Sequence, residues 1–244
     1  MTTVIRCRGI GEPITGRTLL HDATDQLHPD EFRPIELPWA ATYGPVPGLH
    51  GASFDSALAD GREMLLDTIR AAPGNVALAG YSGGAMLAGN VAAEIGRGDH
   101  GENMRRKVTA VALVADPAQP RGQAANGSFG VTGSRDIYGV PVRWTWDERD
   151  PIPCTPDLSP LRTIADQTAA MSLVDPAAWS LDLLDRLRRG RWQPSAWHWW
   201  DIIGSIRRYA HAAEQAAYYL DGGHVRAYIG EQLDATAAWI AEVA

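Results

Sequence analysis

The run NVALAGYSGGAMLAGNVAAEIG, Asn75–Gly96, passes from an apolar, strand-like segment through Gly80-Tyr81-Ser82-Gly83-Gly84 into a run of small residues with helical character. A serine at such a corner, with glycine two positions to either side, is the pattern of a nucleophile elbow. The serine takes strained backbone angles and the glycines let strand and helix approach closely. A helix-capping serine in a glycine-rich turn shares the five-residue pattern. The apolar run before it and the small-residue run after it favour the elbow, which predicts an α/β fold with Ser82 at the end of a parallel strand.

Outward from this corner, strand candidates alternate with helices. Val4-Ile5-Arg6-Cys7 reads as a first strand ending in the loop RGIGEPITG, and Phe32–Ala40 as a second. Then Phe54, Leu58, Leu65 and Ile69 fall at helical spacing, with Ser53 as N-cap and Gly74 beyond the end. Asn75–Ala79 is the strand before the elbow, the helix after it runs to about Arg97, and VTAVALVADP from Val108 and VPVRWTW from Val140 are further strands. Near-continuous apolar runs suit a parallel sheet covered on both faces, and the alternation predicts a doubly wound fold.

From Leu158 to Leu220 the pattern is helical only. One helix starts at Asp175-Pro176, carries Leu181, Leu184 and Leu187, and ends before Gly190; a second runs from about Ser195 to Leu220. A last helix after Gly223 would carry Val225, Ile229, Leu233 and Ile240 onto the sheet. The expected organisation is a core over 1–157, a helical subdomain inserted over 158–220, and completion of the core over 221–244.

Bulk properties narrow the function. The 244 residues suit one large domain, and a formal charge of −7 argues against nucleic acid as a partner. Two cysteines cannot form a disulfide framework, and neither a signal peptide nor a membrane span is visible.

A serine hydroxyl is a poor nucleophile at neutral pH unless an imidazole accepts its proton and a carboxylate orients that imidazole. Four histidines follow Ser82. His100 sits in a polar loop, His198 and His211 in the helical segment, and His224 in the loop opening the final helix, where the chain order Ser, acid, His places the base. The acid belongs after a late strand, where Asp147, Glu148 and Asp150 stand; Pro151 and Pro153 stiffen the loop around Asp150, with Asp147 as the alternative. Asp116 ends an earlier strand and reads as a structural residue bonding loop amides. The oxyanion donors would be the Gly83 amide and one within Arg8-Gly9-Ile10, unless RGIGEP is merely a tight turn.

With these pieces in place, RGIGEPITG resembles the Arg-Gly-Thr-Gly-Glu-Pro loop of actinobacterial cutinase-like esterases. GYSGGA resembles their Gly-Tyr-Ser-Gln-Gly-Ala elbow, and DPIPC their Gly-Asp-Pro-Ile-Cys acid loop. A compact cutinase places its histidine soon after its acid, whereas here a helical segment separates them. That insertion, with LPWAATYGPVPG and VADPAQPRG, makes the whole chain similar to the lysin B proteins of actinobacteriophages. The resemblance implies a cutinase-like α/β-hydrolase fold and a mycolylarabinogalactan esterase needing no metal or organic cofactor. It implies Ser82 as nucleophile, His224 as base, Asp150 as orienter, and the amides of Ile10 and Gly83 as oxyanion donors. It further implies a monomer made in the host cytoplasm and released to act on the host cell envelope during phage lysis. Its substrate would be mycolyl-arabinogalactan or another lipid ester.

Two departures stand out. Gly83 replaces the family glutamine and Ile10 the loop threonine, so two supporting side chains are missing. Cys154 matches the cysteine after the cutinase acid without its usual partner and is expected to be an unpaired thiol, the alternative being a bridge to Cys7. Trp179, Trp192, Trp197, Trp199 and Trp200 fall in the inserted segment. They suit that segment's own core, while Trp179, Trp197 and Trp200 are also candidate contacts for a glycolipid. Arg186, Arg188, Arg189 and Arg191 read as a solvated helix end. Two other functions fit the same residues: a cutinase-like lipase on shorter acyl esters, and a catalytically silent module that binds the envelope.

Overall fold

In the computed structural model, which describes residues 1–44, 46–47, 51–168 and 197–244, five apolar runs pair in parallel. They are β1 (Thr2–Cys7), β2 (Phe32–Glu36), β3 (Val76–Tyr81), β4 (Val108–Val114) and β5 (Val142–Thr145), in the sheet order β2-β1-β3-β4-β5. β3 is central, so its end, where Ser82 stands, is flanked by strands on both sides. β2 is an edge strand containing Pro34, which has no N–H to donate to a further strand.

The helices are α1 (His21–Thr24), α2 (Phe54–Ala71), α3 (Gly83–Arg97), α4 (Glu102–Lys107), α5 (Pro160–Thr168), α6 (Ile202–Leu220), α7 (Gly223–Arg226) and α8 (Glu231–Val243). Strand alternation splits the core in two. Ile5, Leu78, Val111 and Leu113 face one way and pack with Leu65, Leu66 and Ile69 of α2 and with Leu87 and Val91 of α3. Ala77, Ala79, Ala110 and Ala112 face the other way, leaving room for Leu20, Tyr228, and Leu233 and Ile240 of α8. Burying each such aliphatic side chain stabilises the fold by about 1.5–3 kcal/mol. This is the doubly wound α/β-hydrolase arrangement expected from the sequence.

Several boundaries differ from expectation. β2 stops at Glu36 rather than Ala40 because the carbonyls of Leu37, Trp39 and Ala40 accept from the Arg8 guanidinium. α6 starts after Asp201, whose carboxylate caps the Gly204 N–H at 2.9 Å, so Trp197, Trp199 and Trp200 precede that helix. The last helix is two pieces, α7 and α8, broken at Gly230 with φ 86°. In consequence Val225 and Ile229 are exposed, and only Leu233 and Ile240 reach the sheet. Cys7 and Cys154 are both free and buried, and burial pushes the Cys154 thiol up to about 12. The helix expected from Asp175, with Trp179, Trp192 and the arginine run, lies outside the described residues. Among the described residues no helix is long and apolar enough to cross a membrane.

The elbow explains its glycines. A β-carbon on Gly84 would stand 1.9 Å from the Cys7 carbonyl oxygen, and one on Gly80 would stand 2.6 Å from the Ala85 α-carbon. Gly84→Ala is expected to cost about 3 kcal/mol by overpacking against backbone. For a chain of this size that lowers the melting temperature by roughly 6–12 °C, readable by calorimetry.

Candidate active site

Ser82 occupies the corner between β3 and α3 with φ 52° and ψ −119°, a conformation that a non-glycine residue keeps only where its surroundings enforce it. Its N–H donates to the Val114 carbonyl at 2.9 Å, which ties the corner to β4. Ser82 Oγ lies 2.8 Å from His224 Nε2, and His224 Nδ1 lies 2.6 Å from Asp150 Oδ2. A carboxylate only accepts, so the shared proton belongs to Nδ1, and Nε2 is left to accept from the serine.

His224 is delivered by α7, after a turn at Gly222 with φ 80°. The Tyr81 hydroxyl donates to the His224 carbonyl at 3.0 Å, and the imidazole lies between the Tyr81 and Tyr219 rings, at 5.2 and 5.0 Å. Of the other histidines, His100 pairs with Glu94 and His211 with Glu214.

Asp150 is fully buried. Its Oδ1 accepts from the Ile152 N–H at 3.0 Å, and its Oδ2 accepts from the Tyr228 hydroxyl at 2.6 Å as well as from the imidazole. The loop around it is clamped from two helices. Arg162 of α5, 1% exposed, donates to the carbonyls of Phe129, Gly130, Thr155 and Pro156, and burial pushes its guanidinium down to about 10. Gln215 of α6 donates to the Cys154 carbonyl at 2.9 Å. The alternative acid, Asp147, is engaged by Arg149 at 2.7 Å, which holds its carboxyl below the usual range. Asp116 accepts from the Ala118 amide, Arg135 and Trp144, so it is built into the sheet end.

The Ile10 and Gly83 amides have no acceptor among the described residues. The Ile10 side chain stands 2.7 Å from where a β-carbon on Gly83 would be, so the two departures from the cutinase-like pattern compensate sterically. The loop carrying Ile10 is held by Glu12, whose Oε2 accepts from the Gly9 N–H and whose Oε1 accepts from the Leu19 N–H, both at 2.7 Å. Burial pushes the Glu12 carboxyl up, against those two amides and Arg8.

Ser82, Gly83, Ile10 and His224 open into a trough of about 830 Å³. Its walls are mainly apolar and include Tyr43 and Phe54, with Leu161, Ile164, Ala216 and Leu220 from α5 and α6. Of the expected substrate contacts, Trp197 and Trp200 are not among the residues that line it, and Trp179 lies outside the described residues. Trp197 and Trp200 precede the start of α6, whose other end borders the trough. Trp197 packs on Trp199 and Tyr209, and Trp200 stacks on His198. Among the described residues no cluster of three His, Cys, Asp or Glu side chains is placed to hold a metal ion.

No protein family model matches the chain. No curated protein matches it either. Among solved structures, it is similar to the catalytic core domain of acetyl xylan esterase from Trichoderma reesei at 19% identity, covering 69% of this chain and 94% of that one, with a TM-score of 0.49. It is similar to lysin B from a mycobacteriophage at 16% identity, covering 89% of each chain, with a TM-score of 0.47. A cutinase-like protein from Cryptococcus sp. is 18% identical over 63% of this chain and 79% of that one, with a TM-score of 0.45.

Several supporting residues were not singled out in the sequence. Tyr228 looks like any aromatic near a helix, Arg162 like a solvated cation, and Glu12 like part of a polar turn. Only the motif RGIGEP carried a usable signal, since it sets Glu12 two residues beyond Ile10.

As a whole the arrangement can withdraw a proton from Ser82 Oγ as that atom attacks an electrophilic carbon, with two amides beside it to receive an oxyanion. Glu12→Gln replaces one acceptor oxygen by a donor and should lower kcat for a soluble ester about tenfold with little change in KM, measured by steady-state kinetics. Gly83→Gln should lower kcat/KM by about tenfold or more through collision with Ile10. The double variant Ile10→Thr/Gly83→Gln should recover most of that loss, because contacting residues are not additive.

Proposed function

We propose that this chain is a serine carboxylic-ester hydrolase acting on lipid esters, with the ester between mycolic acids and arabinogalactan as its substrate. The observation that carries the reading is the hydrogen-bond chain from Ser82 through His224 to the buried Asp150, opening on an apolar trough. In acylation, Ser82 Oγ attacks the ester carbonyl carbon while His224 Nε2 takes its proton. Negative charge gathers on the carbonyl oxygen beside the Ile10 and Gly83 amides. Collapse then breaks the bond to the sugar oxygen, which receives that proton from His224. In deacylation a water gives a proton to His224, attacks the acyl carbon and releases the acid, and Ser82 recovers its proton.

The trough supports a long acyl group. It lies in the upper part of the range for small-molecule sites, and its walls are mostly aliphatic and aromatic, with Glu12 as a carboxylate in the lining. We read residues 158–220 as an inserted subdomain whose helices α5 and α6 supply one wall. The resemblance to lysin B, carried by the segment inserted between acid and base together with LPWAATYGPVPG and VADPAQPRG, supplies the sugar-ester half of the substrate. On that reading the protein works as a monomer on the host envelope during phage lysis.

Incubation with purified mycolyl-arabinogalactan should release free mycolic acid, and Ser82→Ala should reduce that release roughly 10,000-fold. A fluorophosphonate probe should label the wild type and not the variant. Labelling with hydrolysis of short p-nitrophenyl esters but no mycolate release would leave a general carboxylesterase. A protein that binds wall material, takes no label and hydrolyses nothing would be a binding module.

A further inference from the structure

The Tyr228 ring is fully buried against the alanine face of the sheet. A buried phenol must place both its proton and its lone pairs. Its oxygen lies 2.6 Å from Asp150 Oδ2, and a carboxylate only accepts. The phenol's own proton therefore points at the carboxylate. The same oxygen, Oδ2, takes the His224 Nδ1 proton at 2.6 Å, while Oδ1 takes only the Ile152 amide at 3.0 Å. Two strong donors thus share one carboxylate oxygen, and what one draws from it the other loses.

We propose that Tyr228 is a positioning residue that sets how strongly Asp150 holds the His224 imidazole. Resting on the reading of His224 as the base, its hydroxyl does two things. It prevents the carboxylate from rotating about its Cβ–Cγ bond, and it draws charge from Oδ2, so that the carboxylate holds the Nδ1 proton less tightly than an unshared one would. Removing the hydroxyl while keeping the ring leaves Oδ2 to the imidazole alone, so the pair tightens while its geometry loosens.

Other titratable groups facing this pair are Tyr81 on β3, Glu12 on the loop after β1, Tyr218 and Tyr219 on α6, and Cys154 on the acid loop. Burial raises all three tyrosines and the thiol, so they stay neutral where a hydrolase works, and Glu12 is the one other carboxylate among them.

The test is Tyr228→Phe in the full chain, with Glu12→Gln as comparison. The plateau of kcat/KM for a soluble ester should fall about five- to tenfold, and its acid limb should move up by about half a pH unit. In the proton NMR spectrum the His224 Nδ1–H resonance should move downfield as its bond to Asp150 tightens. An acid limb and a resonance both left in place would overturn the proposal, whatever the plateau does, because lost packing alone predicts that outcome. Should the variant be less stable, the resonance read at low temperature on the folded protein decides. Should the wild type hydrolyse no ester, the proposed function fails while the resonance still tests the Tyr228 coupling.

Discussion

No atom can stand where a β-carbon on Gly84 would be, because the Cys7 carbonyl oxygen is 1.9 Å away. That contact presses the first turn of α3 against the end of β1 and forces the chain to reverse within one residue, Ser82, at a positive φ. Everything at the site follows from this corner. The sheet order puts β3 in the middle, the reversal turns the Ser82 hydroxyl out of the sheet end, and the start of α3 leaves the Gly83 amide without a partner among the described residues. The strain is repaid by the fully buried strands on either side, which leave the backbone no other path.

Around that rigid corner the other groups arrive on less regular backbone, and each is tied down by buried polar contacts. Arg8 and Glu12 fasten the loop of Ile10 to the chain beyond β2 and to Leu19. Arg162 collects carbonyls on both sides of the acid loop, with its guanidinium 3.5 Å over the Phe129 ring. A buried cation loses hydration that its hydrogen bonds have to offset. Its bonds have to be numerous to hold, and being numerous they make the loop stiff. Gln215 and Tyr219 bring α6 to the same loop and to the imidazole, so the wall of the trough and the acid are held by one helix.

The order of the polypeptide made most of the frame legible. Strands buried on both faces have to be apolar throughout, and the elbow requires glycines at fixed offsets, so β3, β4 and Ser82 could be placed by pattern. The choice of Asp150 over Asp147 and Glu148 rested only on the neighbouring prolines and on the resemblance of DPIPC, because the three share one short loop. Only the direction each side chain takes there separates them. Arg149 engages Asp147, while the turn that places the Ile152 amide on Oδ1 points Asp150 inward. The tryptophans show the same limit: composition marks a segment as aromatic but not which of its residues line the trough.

By itself, then, the sequence determined the alternation of strands and helices, the corner at Ser82, and the residue types a hydroxyl nucleophile needs in the order this fold uses them. These are local properties, set by periodicity and by the steric freedom of glycine. Only the tertiary structure decided that Asp150 and not Asp147 meets His224, that Ile10 fills the space beside Gly83, and that Tyr228 shares the carboxylate oxygen. Such contacts join residues far apart in the chain. Their distances come from how whole elements pack, which no short stretch of sequence encodes.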